Sequence, residues 1–193
     1  MVPPGTDPGG DTRIHLIMTP GAFGSGEHET TASCLDLLAT LPEVQGGRVL
    51  DLGSGTGILA IAAVKLGARE ALCVDIDPAA VRTSTLNCSL NGVSDQVTHI
   101  CGAMNQVTAD AFDLILANIY TDVLLDVAEV LVSKTRPGGA LLLSGIVHED
   151  NFDVCGRYQE LRCTVVNNRM LEAFTTVLLR REGGSQGSSE QPP

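Results

Sequence analysis

Val49-Leu50-Asp51-Leu52-Gly53-Ser54-Gly55-Thr56-Gly57 sets a glycine-rich turn directly between an apolar run and a helix-like run. A parallel strand that turns sharply into a crossover helix needs permissive backbone angles, and a ligand lying against such a turn leaves no room for side chains. Gly53, Gly55 and Gly57 meet both needs. A second acidic signal, Val74-Asp75-Ile76-Asp77, follows about twenty residues on, where the next parallel strand should end. A carboxylate there can accept hydrogen bonds from both hydroxyls of a ribose. Asp75 is better placed for this than Asp77, which precedes Pro78 and suits the start of a helix. Together the two stretches describe a nucleoside-binding crevice. The G-x-G-x-G spacing differs from the dinucleotide fingerprint G-x-G-x-x-G, and no G-x-x-x-x-G-K-[ST] run is present to hold a triphosphate. This argues against a kinase or ATPase. The plainer alternative is that the glycines only close a tight turn and Asp75 is a strand-end carboxylate.

Outward from the turn, strand and helix signals alternate. Residues 48–52 form the first buried strand, and residues 58–66 the helix behind it, ended by Gly67. A strand over 70–74, a helix over 79–91 and a strand over 96–101 follow. Residues 102–111 make a loop with one helical turn, and 112–117 a nearly all-apolar strand ending at Asn118. A helix over 122–135, a turn at Pro137-Gly138-Gly139 and a fifth strand over 140–144 complete the βαβ rhythm of a doubly wound, mostly parallel sheet. A weakly specified helix over 151–157 precedes two β-branched runs, 158–166 and 173–179. These suggest an antiparallel hairpin with its turn near Asn167 and Asn168. Upstream, residues 13–18 suggest an edge strand, 19–26 are glycine-rich, and 27–41 carry Leu35, Leu38 and Leu41 at helical spacing. Thr30 and Thr31 stand where hydroxyls cap a first turn or touch a ligand. Residues 1–12 and 182–193, rich in Pro, Gly and polar residues, are expected to be flexible, leaving 13–181 as one domain.

Composition narrows the function. The formal net charge of −11, from 12 basic and 23 acidic residues, repels nucleic acid at long range. With no Trp, two Tyr and four Phe there are few platforms on which bases can stack. A basic protein substrate suits this charge better. No apolar run reaches membrane-spanning length, and the amino terminus lacks the basic and apolar regions of a secretory signal. The expected compartment is the cytoplasm. Cys34, Cys73, Cys88, Cys101, Cys155 and Cys163 are scattered without a C-x-x-C pair, as reduced thiols are. Glu27, His28 and Glu29 are neighbours in sequence that do not converge on a metal, so no metal site is expected.

Taken together, the motifs resemble the catalytic domain of the class I S-adenosylmethionine-dependent methyltransferases, and among these the ribosomal protein L11 methyltransferase family. The resemblance covers residues 14–181. It rests on Pro20-Gly21-Ala22-Phe23-Gly24-Ser25-Gly26-Glu27-His28-Glu29-Thr30-Thr31 and the turn Asp51 to Gly57 with Ile58 after it. Asp75-Ile76-Asp77-Pro78, Ala117-Asn118-Ile119 and Ser144-Gly145-Ile146 complete it. It implies a seven-stranded Rossmann-like sheet, S-adenosyl-L-methionine as cofactor, and a protein substrate, a ribosomal protein in the family's own case. Cofactor contacts would fall on Phe23, Thr30, Asp51, Gly53, Ser54, Gly55, Gly57, Ile58, Asp75, Ile76, Met104 and Asn118. Asn118 would position the reacting nitrogen, and His28 is the nearby imidazole. The family also carries an amino-terminal recognition domain, which has no counterpart in the dozen residues before this core. The family's acidic residue before Pro-Gly is Thr19 here. Two other functions remain open at this stage: a small-molecule or nucleic-acid methyltransferase, and a non-catalytic binding module of the same fold.

Overall fold

The computed structural model describes residues 14–19 and 28–183. Phe23, residues 1–12 and most of the expected tail lie outside the described residues. Seven strands form one sheet in the order β3-β2-β1-β4-β5-β7-β6. β1 (Arg48–Leu52), β2 (Glu70–Asp75), β3 (Val97–Cys101), β4 (Phe112–Asn118) and the start of β5 (Thr135–Val147) run parallel. β7 (Phe174–Arg181) is antiparallel to both β5 and β6 (Cys163–Met170). The doubly wound sheet with an antiparallel carboxyl-terminal hairpin is therefore as the sequence implies.

The sheet is buried on both faces. Along β4, Leu114 and Leu116 join one apolar cluster while Ile115 and Ala117 join the other, which is why this strand is a continuous apolar run rather than an alternating one. α1 (Glu29–Leu38) and α2 (Ile58–Lys65) pack in the first cluster. Every residue of α2 from Ile58 to Val64 is buried, so it has no polar stripe. α4 (Thr121–Asp126), α5 (Ala128–Lys134) and α6 (Asn151–Glu160) cover the other face. α3 (Pro78–Leu90) leads from β2 to β3.

Several expected boundaries change. The single helix expected over 122–135 is two helices that meet at Val127. Residues 14–19 form no strand beyond an isolated bridge residue, Ile17. Asn91 holds that residue by accepting from its N–H at 3.0 Å and donating to its carbonyl at 2.7 Å. Tyr158 lies in α6 rather than in a strand, because Val154 and Tyr158 at helical spacing bury the same face. The chain leaves that helix through Arg162, at φ 61°. Asn167 and Asn168 sit inside β6, next to a register shift, and the hairpin turns at Leu171–Ala173 instead. An edge strand with an exposed flank tolerates such polar residues. Pro137-Gly138-Gly139 bulges out of β5 without ending it: pairing with β4 steps from Phe112↔Thr135 to Leu114↔Ala140. Glu182, first residue of the expected tail, donates its N–H to the Arg162 carbonyl at 2.9 Å.

Candidate functional site

β1 has β2 on one side and β4 on the other, so the crossovers leave it in opposite directions. A crevice opens at the carboxyl ends of strands at such a switch point. Here it is a cavity of about 840 Å³, lined by residues from the ends of β1, β2, β4 and β5 and the start of α1.

Its floor is the glycine turn. Gly53, Gly55 and Gly57 have φ of 67°, 52° and 77°, values that L side chains adopt only under strain. A Cβ on Gly53 would stand 2.2 Å from Ile119 Cγ2, so the turn and the chain leaving β4 approach as closely as they do only because a side chain is absent. Gly53 and Ser54 both donate their N–H to the Val74 carbonyl, at 2.8 and 3.2 Å. Among the described residues, Ser54 Oγ, buried on the cavity wall, has the weak thiol of Cys73 beside it and no stronger hydrogen-bond partner. A buried hydroxyl in this state favours a ligand that supplies one.

Two carboxylates flank the turn. Asp75, half-buried at the tip of β2, accepts from Gly55 N–H at 2.8 Å through one oxygen and from Asp77 N–H at 2.9 Å through the other. Each oxygen keeps further acceptor capacity. Asp51 is buried at the end of β1 and accepts from Ala60 N–H at 3.2 Å. Burial pushes its carboxyl up to about 7, with the Ala60 bond opposing the rise and the charge of Asp75 adding to it. Asp77 caps α3 by accepting from Ala79 N–H at 2.8 Å, the structural role its place before Pro78 implied.

The far wall carries Asn118 and His28. Asn118, half-buried at the end of β4, donates through Nδ2 to Thr31 Oγ1 at 3.3 Å. His28 is the N-cap of α1 and accepts from Thr30 N–H through Nδ1 at 3.4 Å, with Thr30 Oγ1 2.8 Å away. Its ring lies 5.4 Å from that of Phe174. This arrangement holds the start of α1.

Of the residues proposed from sequence, His28, Thr30, Asp51, Gly53, Ser54, Gly55, Ile58, Asp75, Ile76, Met104 and Asn118 all line this one cavity. Gly57 does not line it. It serves the helix start instead, where a Cβ would meet Ser84 Oγ at 2.2 Å. Ile76 is 77% exposed, an apolar side chain free to cover a planar ring. Tyr120, 81% exposed at the mouth, and Phe174 on the returning β7 are additions. The place of Tyr120 two residues beyond the strand-end Asn118 is a local signal that would have found it, whereas nothing local to Phe174 marks it.

Among the described residues, no His/Cys/Asp/Glu group could hold a metal ion, and no helix is long and apolar enough to cross a membrane. A family model described as ribosomal protein L11 methyltransferase (PrmA) matches residues 2–182. The chain is 46% identical over 143 residues to the ribosomal protein L11 methyltransferase of Trichlorobacter lovleyi, covering 71% of this chain and 47% of that protein. It is 42% identical over 169 residues to that of Citrifermentans bemidjiense, covering 84% and 54%. It thus spans about half the length of these relatives. The solved structure of a ribosomal protein L11 methylase from Lactobacillus delbrueckii subsp. bulgaricus superposes with a TM-score of 0.84 at 28% identity, over 94% of this chain and 93% of that one. An RNA methyltransferase from Salinibacter ruber, solved with S-adenosyl-L-homocysteine, shares the fold alone, at a TM-score of 0.64 and 20% identity over 83% of this chain and 94% of that one. Fold, motif placement and sequence identity agree: the chain belongs to the ribosomal protein L11 methyltransferase family.

Proposed function

We propose that this chain is an S-adenosyl-L-methionine-dependent protein N-methyltransferase acting in the cytoplasm. The observation that carries the reading is the cavity at the switch point, whose glycine floor, buried Ser54 hydroxyl and strand-end Asp75 fit a nucleoside with a polar tail. Its volume lies within the usual range for small-molecule sites, roughly 300–1,000 Å³. When bound, S-adenosyl-L-methionine supplies a sulfonium methyl that a neutral amine nitrogen can take. The protein's task is then binding, alignment and exclusion of water.

Asp75 accepts from the ribose hydroxyls with the lone pairs that Gly55 and Asp77 leave available. Ile76 and Met104 cover the base, and Gly53, Ser54 and Asp51 meet the polar tail. Asn118 orients the acceptor nitrogen, and Tyr120 and Phe174 shield it from solvent. Thr30 and His28 hold the start of α1 against the same wall.

A protein acceptor is favoured over nucleic acid because residues 53–57, 75–79, 102–106, 118–122 and 145–150, all at this end of the sheet, include no Lys or Arg. They do carry Asp75 and Asp77, together with Asp122, Glu149 and Asp150. A polyanion meets no counter-charge on those segments. The reading is tested with isotopically labelled methyl donor and a bacterial extract: label should pass to protein and vanish on protease treatment of the acceptor. Label that survives protease but not ribonuclease would replace the protein acceptor with RNA. Binding of the donor without transfer to any fraction would favour a binding module.

A further inference from the structure

α2 starts regularly at its N-cap Gly57, with Ile61 N–H donating to the Gly57 carbonyl at 2.9 Å. The N–H of Ala60, one of the first-turn donors a helix leaves unpaired, donates to Asp51 at 3.2 Å. The Thr56 carbonyl, just outside the helix, accepts from Asn87 Nδ2 of α3 at 2.9 Å. Two buried side chains thus bond the backbone where the glycine turn passes into α2. Asn87 is wholly buried, and its other end is also engaged: Oδ1 accepts from Thr19 N–H at 3.0 Å and from Thr19 Oγ1 at 2.8 Å. One helical turn further on, Asn91 makes a similar pair of bonds to Ile17 but none to the glycine turn. Ser84, on the same face of α3, stands where Gly57 leaves no space for a side chain.

We infer that Asn87 is a positioning residue for ligand binding: it fixes the Thr56 carbonyl, and with it the Gly53–Gly57 floor, and couples that floor to the segment at Thr19. The inference rests on the cofactor reading above, and goes beyond it because Asn87 does not line the cavity. Its physical basis is that a buried carbonyl deprived of the Asn87 amide loses a hydrogen bond and shifts to recover one. The carbonyl's neighbours in sequence, Gly55 and Gly57, make that movement cheap. Asn91, the C-cap of the same helix, provides the internal control, since it is buried and bonded to the same incoming segment but reaches only the Asn87 carbonyl and not the glycine turn.

The test is calorimetric titration of the full chain, Asn87→Ser and Asn91→Ser with S-adenosylhomocysteine, alongside the melting temperature of each without ligand. Both variants should melt lower than wild type. Asn87→Ser should lose about tenfold in affinity, a loss consistent with one buried hydrogen bond, while Asn91→Ser stays within about twofold. Equal affinities in all three, or losses that merely follow melting temperature, would overturn the inference. If Asn87→Ser does not fold, amide hydrogen exchange on the wild-type chain decides. Saturating ligand should slow exchange at Thr19, whose acceptor is Asn87, more than at Ile17, whose acceptor is Asn91. Equal slowing, or none, would overturn it. Failure of the wild-type chain itself to bind would overturn the cofactor reading and this inference with it, whereas failure of the inference alone appears only in the variants or the exchange pattern.

Discussion

Asp75 does two jobs with one carboxylate: it ties Gly55 to the tip of β2 and presents its remaining lone pairs to the cavity. Asp75→Ala should therefore weaken S-adenosylmethionine affinity by about ten- to a hundredfold, the loss of about one or two charge-assisted hydrogen bonds. Unchanged affinity by titration calorimetry would remove Asp75 from ribose recognition. Asp51 makes a pH prediction. Its folded carboxyl is raised by burial to about 7, so the folded state holds the proton more tightly than the unfolded chain. That contribution to stability is fully present below the unfolded carboxylate range near pH 4 and is lost as pH rises through about 7. Asp51→Asn should flatten the fall in melting temperature of the ligand-free protein between pH 5 and pH 8; an identical fall in the variant would mean that Asp51 is ionised throughout. Asn118→Ala should lower the single-turnover rate without unfolding the protein, and an unaltered rate would leave Asn118 only its bond to Thr31. Asp75 and Asn118 were legible in sequence because each stands at the end of an apolar run, where a polar side chain in a buried strand demands a reason, whereas Asp51 came from the resemblance of the Asp51–Gly57 turn. Phe174 was not legible, since it reaches the cavity only through the hairpin that brings β7 back beside β5.

The elements that were legible are those whose signal is local and strong. β1, α2, β2 and β4 were bounded by glycines, by Asp-Pro or by an uninterrupted apolar run, and they build the site. The misplaced boundary between α6 and β6 shows the opposite case. Asn151 to Glu160 has only two buried positions, Val154 and Tyr158, and a glycine inside it, whereas the following Thr164-Val165-Val166 is strongly β-branched. Tertiary packing overrides that weak local preference. Tyr158 fills the core against α4 and donates its hydroxyl to the Leu124 carbonyl at 3.0 Å. Tyr158→Phe should cost about 1 kcal/mol in urea unfolding, by deleting one buried hydrogen bond while keeping the ring. No measurable change would mean that Leu124 finds another donor and that the ring alone pins α6.

At the scale of the whole molecule, all seven strands and every described residue assigned to the cofactor belong to one chain that matches about half the length of its relatives. The described wall of the cavity is built from this chain's own strand ends and loops, so ligand binding is a prediction for this chain itself. The acceptor itself was not legible in sequence beyond its class, because charge and exposed aromatics set a preference rather than an identity. Calorimetric titration of the purified chain with S-adenosylmethionine and S-adenosylhomocysteine is the most direct measurement. Saturable binding of each, one molecule per chain, is the predicted result; absence of binding by a folded chain would contradict the assignment of this cavity to the methyl donor.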